Sequence, residues 1–145
     1  MKSIVIFLFV AAALSGCTDA ELYRLSIEST ELHVEVVDTE ETRARGLMFR
    51  ESLPETQGML FVFEEAAPRA FYMRNTSIPL SIAYIDERLI IREIHEMEPF
   101  SQENVLSRSP AMYALEVNQG SFGRWGVSIG DRLVLSDALA DRIMN

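Results

Sequence analysis

Apart from one early segment, the apolar residues of this chain fall into seven short runs separated by turn-forming residues. The runs are Leu32–Val36, Met59–Phe63, Ala70–Arg74, Leu80–Ile85, Leu89–His95, Tyr113–Val117 and Arg132–Leu135. Runs of this length suit strands and are too short for helices of ordinary size. In the first, Leu32, Val34 and Val36 alternate with His33 and Glu35, the period of a strand buried on one face. A helical period appears once with clarity: Ala44, Leu47 and Met48 fall at i, i+3 and i+4. That spacing predicts a helix from Thr39 to Arg50, with Asp38 as N-cap and Glu41 at N3. Helical turns are expected at Gly120–Trp125 and Ala138–Met144, and a polar loop from Glu96 to Pro110. There is no internal repeat and no alternation of strands with helices. The pattern predicts a mainly β fold with minor helix: a small, compact barrel- or sandwich-like domain over residues 31–145. A chain of 145 residues is long enough to bury a core without disulfides or metals as staples.

The exception is the run Ile4–Leu14, which follows Met1-Lys2-Ser3. As a helix it would rise only about 16 Å, half of the ~30 Å hydrocarbon thickness, so it is too short to span a bilayer. It fits the apolar region of a secretory signal. Leu14-Ser15-Gly16-Cys17 then resembles a bacterial lipobox, in which small residues precede a cysteine that becomes lipidated. Residues 1–16 therefore read as a lipoprotein signal peptide and residues 17–30 as a tether. The resemblance implies two or more acyl chains on Cys17, enough for stable anchoring in a lipid bilayer. Thr18 after the cysteine favours the outer membrane over the inner one, with the domain facing the periplasm.

Charge and cysteine usage exclude several classes. Lys2 is the only lysine, so the remaining chain carries twelve arginines against 22 acids. Such an acidic chain is a poor nucleic-acid partner, because phosphate binding needs basic patches. One cysteine, Cys17, excludes disulfides within the chain and multi-cysteine metal sites.

Several blocks carry a family resemblance. Arg43-Ala44-Arg45-Gly46-Leu47-Met48-Phe49-Arg50, Gly58–Phe63, and Phe71-Tyr72-Met73-Arg74-Asn75-Thr76 with Pro79-Leu80 come first. Ile94-His95-Glu96, Glu116-Val117-Asn118-Gln119-Gly120 and Gly130-Asp131 follow in the same order. Together they resemble the family called domain of unknown function 192, from Leu32 to Leu135. The resemblance implies a compact β fold, often exported, and no particular reaction. Tyr72, Arg74 and Ser81 stand where that family usually has tryptophan, lysine and aspartate.

Candidate sites divide by their chemistry. Gly126-Val127-Ser128-Ile129-Gly130 has the spacing of a nucleophile elbow, but a helical turn precedes it and no histidine lies beyond His95, so it reads as a turn. Met73, His95 and Met97 resemble part of the pattern of periplasmic Cu(I) chaperones, with thioethers and imidazole suited to that ion. The remaining ligand of that pattern would fall on Val62, with Met59 the nearest substitute, so the methionines read as core fillers. His33 reads as solvated, and His95 as hydrogen-bonded beside Glu96. Glu64, Glu65, Glu93, Glu96 and Glu98 show no spacing that separates a catalytic pair from an acidic surface. The strongest polar concentration is Arg74-Asn75-Thr76, after the apolar Phe71-Tyr72-Met73. Glu116 and Asn118 share one face of a later strand and would join it, either as an Arg74–Glu116 pair or as a binding site for a ligand or partner.

The functional expectation is a membrane-anchored envelope lipoprotein, a non-enzymatic module that binds an envelope protein or a small ligand and uses no cofactor. The alternative is a small hydrolase or transferase using acidic groove residues. A periplasmic Cu(I) protein is the remote one.

Overall fold

A computed structural model describes residues 20–144; the segment expected to be a signal peptide, Cys17 and residues 18–19 of the expected tether lie outside the described residues. The strands are β1 (Leu22–Ile27), β2 (Thr30–Val37), β3 (Gln57–Ala67), β4 (Ala70–Phe71), β5 (Leu80–Ile85), β6 (Ile91–Met97), β7 (Val105–Leu106), β8 (Ala111–Asn118) and β9 (Leu133–Leu135). The helices are α1 (Glu40–Arg45), α2 (Ser121–Arg124) and α3 (Asp137–Met144). Seven strands form one sheet in the order β6-β5-β8-β3-β2-β1-β9, while β4 and β7 pair separately. The fold is mainly β, and the large sheet curls into a half-barrel.

The curl is tied at one end. The Ile91 N–H donates to the Asp131 carbonyl (2.9 Å), Gly130 N–H to Ile91 (2.8 Å) and Leu133 N–H to Leu89 (2.9 Å). These bonds join the start of β6 to the segment before β9, so both edges of the sheet are satisfied there instead of standing open.

Each central strand is buried on both faces, and the period of 2 sorts its residues between two cores. Leu60 and Val62 of β3, Ala83 and Ile85 of β5, and Leu115 and Val117 of β8 fill the inside of the curl, where Phe122 and Leu139 from the helices close it. Met59 and Phe61, Ile82 and Tyr84, and Ala114 form a second core on the outer face. Leu47, Leu53, Met73 and Ile78, from the connections, cover that outer core. This double burial explains why the runs are continuously apolar rather than alternating.

Four expectations need correction. The tether contains β1, which pairs with β2 from Leu22↔Glu35 to Ile27↔Thr30 and with β9. Leu25 and Ile27 are buried core residues, a signal obscured by the polar residues between them. The early helix is only Glu40–Arg45. Thr39 caps it, because its Oγ1 accepts the Thr42 N–H and the Thr42 Oγ1 accepts the Thr39 N–H, each at 3.1 Å. The Asp38 carboxylate goes instead to Arg142 (2.6 Å). Gly46 ends the helix at φ 46°, and this frees Leu47 to turn down into the outer core. Third, β2 and β3 run parallel with α1 as the crossover, a βαβ unit that its single short helix concealed. Finally, the polar loop contains β7, and β6 starts two residues late because Leu89 sits in a turn at φ 64°. Asp86 holds that turn by accepting the Arg88 and Ile90 N–H groups.

Candidate functional site: an aromatic cavity over a buried carboxyl

The alternation along β8 sends Tyr113, Leu115 and Val117 inward and Ala114 and Glu116 outward. Outward is not solvent here. Glu116 stands between Met59 of β3 and Ile82 of β5 in register, and the residue is only 5% exposed. Gly58 lets β3 approach this closely: a Cβ there would lie 2.7 Å from the Glu116 carbonyl oxygen. No side-chain hydrogen bond or ion pair to Glu116 occurs among the described residues, and the carboxyl faces a cavity of about 400 Å³. Burial without a partner disfavours the charge and pushes its pKa up to about 8.

The cavity lies between the α1–β3 side of the sheet and the β4 segment. Phe61, Phe63, Phe71, Leu47, Met73 and Leu80 supply its apolar walls. The rings are locked edge to face, Phe61 on Phe71 at 4.8 Å, Phe63 on Phe71 at 6.4 Å and Phe71 on Tyr84 at 5.8 Å. The Tyr84 hydroxyl donates to the Val105 carbonyl (2.5 Å), which fixes β7 over the sheet. Burial, then the nearby Glu116 and Glu93, hold that phenol well above its ordinary range.

Two guanidinium groups share the remaining ring. The Cζ of Arg69 lies 3.8 Å from the Phe63 centroid and that of Arg43 5.1 Å from it. Both are held by main-chain carbonyls: Arg43 donates to Val62 (2.9 Å) and Asp38, and Arg69 to Ala111 (3.2 Å) and Glu65. Neither is within ion-pair distance of a carboxylate among the described residues. Burial and then the Arg43 charge lower the Arg69 pKa. Glu40, in the first turn of α1, also lines the cavity.

The structure divides the five residues grouped from the sequence. Glu116 and Thr76 line the cavity. Arg74 and Asn75 form an exposed turn with Asn75 at φ 53°, and Arg74 makes no ion pair with Glu116. Thr76 donates to the Arg74 carbonyl (3.1 Å), so the polar triplet is folded on itself. Asn118 donates to the Leu53 carbonyl (2.7 Å) and braces a loop instead. The Arg74–Glu116 pair is therefore corrected: Arg74 turns to solvent where the strand ends at Phe71. Arg43, Arg45 and Arg69 are cations lining the cavity, and nothing in their local sequence set Arg43 and Arg69 apart from the other arginines.

Other singled-out residues have local roles. Met73 and Met97 fill the outer core. The His95 Nε2 is 2.9 Å from Glu93, whose other oxygen accepts the Arg108 and Ser109 N–H groups. Burial raises the Glu93 pKa, but these contacts outweigh it and hold it below the ordinary carboxylate range. Ser128 lies in a loop between Gly126 (φ 70°) and Gly130 (φ 100°), its N–H on Asp131 (2.7 Å), as the turn reading requires. Ser81 is fully buried, donates to Glu96 (2.8 and 2.9 Å) and accepts the Gly120 N–H (2.8 Å).

The family model for domain of unknown function 192, described as an uncharacterized ACR, matches residues 23–135. The chain belongs to this family. No curated protein matches it. Similar solved structures include the following two. One is a Sinorhizobium meliloti 1021 protein described as a candidate transcription regulator, 36% identical, TM-score 0.79, with 83% of this chain and 98% of that one covered. The other is a protein of unknown function from Novosphingobium aromaticivorans DSM 12444, 26% identical, TM-score 0.77, with 86% of this chain and 93% of that one covered. Both carry the same half-barrel fold.

Proposed function

We propose that this family member is a membrane-anchored envelope lipoprotein whose β domain binds a small ligand in the Glu116 cavity, without catalysing a reaction. The observation that carries the binding reading is the carboxyl of Glu116, a residue only 5% exposed, which makes no hydrogen bond to the described residues and opens into an aromatic-walled cavity. A carboxyl held in an apolar setting and left free on its cavity side is available to a ligand that completes its hydrogen bonding. The volume and the mix of apolar wall with few polar groups match small-molecule sites. Anchoring rests on Leu14-Ser15-Gly16-Cys17 after the apolar run Ile4–Leu14, and Thr18 directs the lipoprotein to the outer membrane, facing the periplasm.

Glu116, held largely protonated at neutral pH, is the observation that favours a hydrolase or transferase as the second reading. Thr76 and Tyr72 are the hydroxyl-bearing residues at the cavity; Thr76 donates to a main-chain carbonyl, and Tyr72 is an exposed residue at its edge with no hydrogen bond to a base among the described residues. A general acid without a positioned nucleophile suits binding better than chemistry. The description of the Sinorhizobium protein as a regulator is not carried over, because twelve arginines against 22 acids give no phosphate-binding face.

Two experiments test the two halves. Cys17→Ser should abolish fatty-acid labelling and release the protein into the soluble fraction; a labelled, membrane-bound variant would overturn the anchor. Glu116→Leu should replace the carboxyl by an apolar group of similar size and raise the melting temperature while weakening uptake of 4-phenylbutanol, a probe whose hydroxyl the carboxyl can bond. Unchanged probe binding would overturn the cavity as the site.

A further inference from the structure

We infer that the ligand of the Glu116 cavity is an amphiphilic organic anion: an aryl or alkyl body with one carboxylate or sulfonate head. The body occupies the aromatic cavity, the head sits against Arg43 and Arg69, and the Glu116 carboxyl meets the buried end. The inference rests on the binding reading above and adds its chemistry.

Three features combine. The interior is lined by Phe61, Phe63, Phe71, Leu47 and Met73, which accept an apolar body and give no second hydrogen-bonding direction. Two guanidinium groups stack on one ring, Phe63, at 3.8 and 5.1 Å from its centroid. Like charges converging on a shared ring repel. Arg50, Arg92, Arg124 and Arg142 each form a close ion pair with a carboxylate, whereas Arg43 and Arg69 belong to the arginines with no ion pair among the described residues and are set apart from those by the ring they share. Their direct hydrogen bonds go to main-chain carbonyls, and Asp38 and Glu65 act on them only through space, so two cations converging on one ring keep a place for an anion supplied from outside. Glu40 and the Glu65 segment flank the mouth. They oppose a polyanion such as a nucleotide more strongly than a single head group, which sets the charge at one.

The size agrees. A cavity of about 400 Å³ equals roughly thirteen waters at ~30 Å³ each, room for a body of one ring and a short chain. Glu116 at the floor then selects. As a neutral acid it donates to an acceptor such as a carbonyl or ether oxygen, whereas a second anionic group there would meet a carboxyl with nothing else to stabilise it.

The test uses matched probes of one shape: 4-phenylbutanoate, 4-phenylbutanol and 4-phenylbutylamine, titrated into the full chain by calorimetry at pH 6. The carboxylate should bind at least about tenfold more tightly than the alcohol, with the amine weakest. Arg43→Gln and Arg69→Gln should each weaken carboxylate binding at least about fivefold more than they weaken alcohol binding. Because these arginines also hold main-chain carbonyls, each variant's melting curve accompanies its titration, and Arg43→Lys, which keeps the charge, should retain most of the preference. Equal binding of acid and alcohol, abolished by Glu116→Leu, would overturn the anion assignment while leaving the cavity reading intact. Binding of none of the three, with octanoate and octanol also failing, would overturn both.

Discussion

At the scale of single residues, Glu116 decides most of the chemistry. An unfolded glutamate ionises near 4.5, whereas folded Glu116 keeps its proton until about 8. Between those values the folded state binds more protons than the unfolded one, so this group makes stability fall as pH rises. The slope is at most about 1.4 kcal/mol per pH unit and levels off above pH 8. Asp38, Asp86 and Glu93 have lowered values, so their contributions are lost only in acid, below the ordinary carboxylate range. Glu116→Gln should therefore flatten the decline between pH 5 and pH 8 and leave the acid limb unchanged. Urea melts of both proteins across that range check it, and parallel curves would contradict an unpartnered Glu116.

Elements carry the next set of constraints. The β3–β8 contact depends on Gly58, where a methyl group would meet main chain and leave no flexible side chain to yield. Gly58→Ala should cost about 1–3 kcal/mol, the range for overpacking, and should also weaken ligand binding by shifting Glu116. A chemical-denaturation midpoint and a probe titration on the same variant report both effects. The helix α1 depends on a reciprocal pair of threonines, so Thr39→Ala should cost about 1 kcal/mol. Arg43 stands in that helix, and fraying its first turn should weaken anion binding more than it weakens binding of a neutral probe.

For the whole molecule, the bonds from Gly130 and Leu133 to the start of β6 close the curl. Gly130 holds φ at 100°, a conformation that costs a branched side chain about 1–3 kcal/mol. Gly130→Val should destabilise by that amount and, in hydrogen exchange, should expose the Ile91 and Leu133 amides before the β3, β5 and β8 amides. Simultaneous exchange of all of them would show that closure and core are one cooperative unit.

The sequence by itself determined the strand-rich class, the family and most strand positions, because strands buried on both faces leave compact apolar runs bounded by turns. It also grouped Glu116 and Thr76, both of which line the cavity, with Arg74, Asn75 and Asn118, which do not. It misplaced Arg74 and Asn118, since the register of a polar cluster depends on where a strand ends, and β4 stops at Phe71. Tertiary structure alone decided that β1 belongs to the sheet, because its partners β2 and β9 lie on either side of it in space while β9 is more than a hundred residues away in sequence. It alone decided that α1 is a parallel crossover, because helix length was set by Gly46 and by Leu47 reaching the outer core. The cavity itself is of this kind. Arg43, Phe63, Arg69, Phe71 and Glu116 come from separate elements, and only the curl of the sheet with the β4 segment folded across it brings one carboxyl without a protein hydrogen bond and two cations stacked on one ring to the same space.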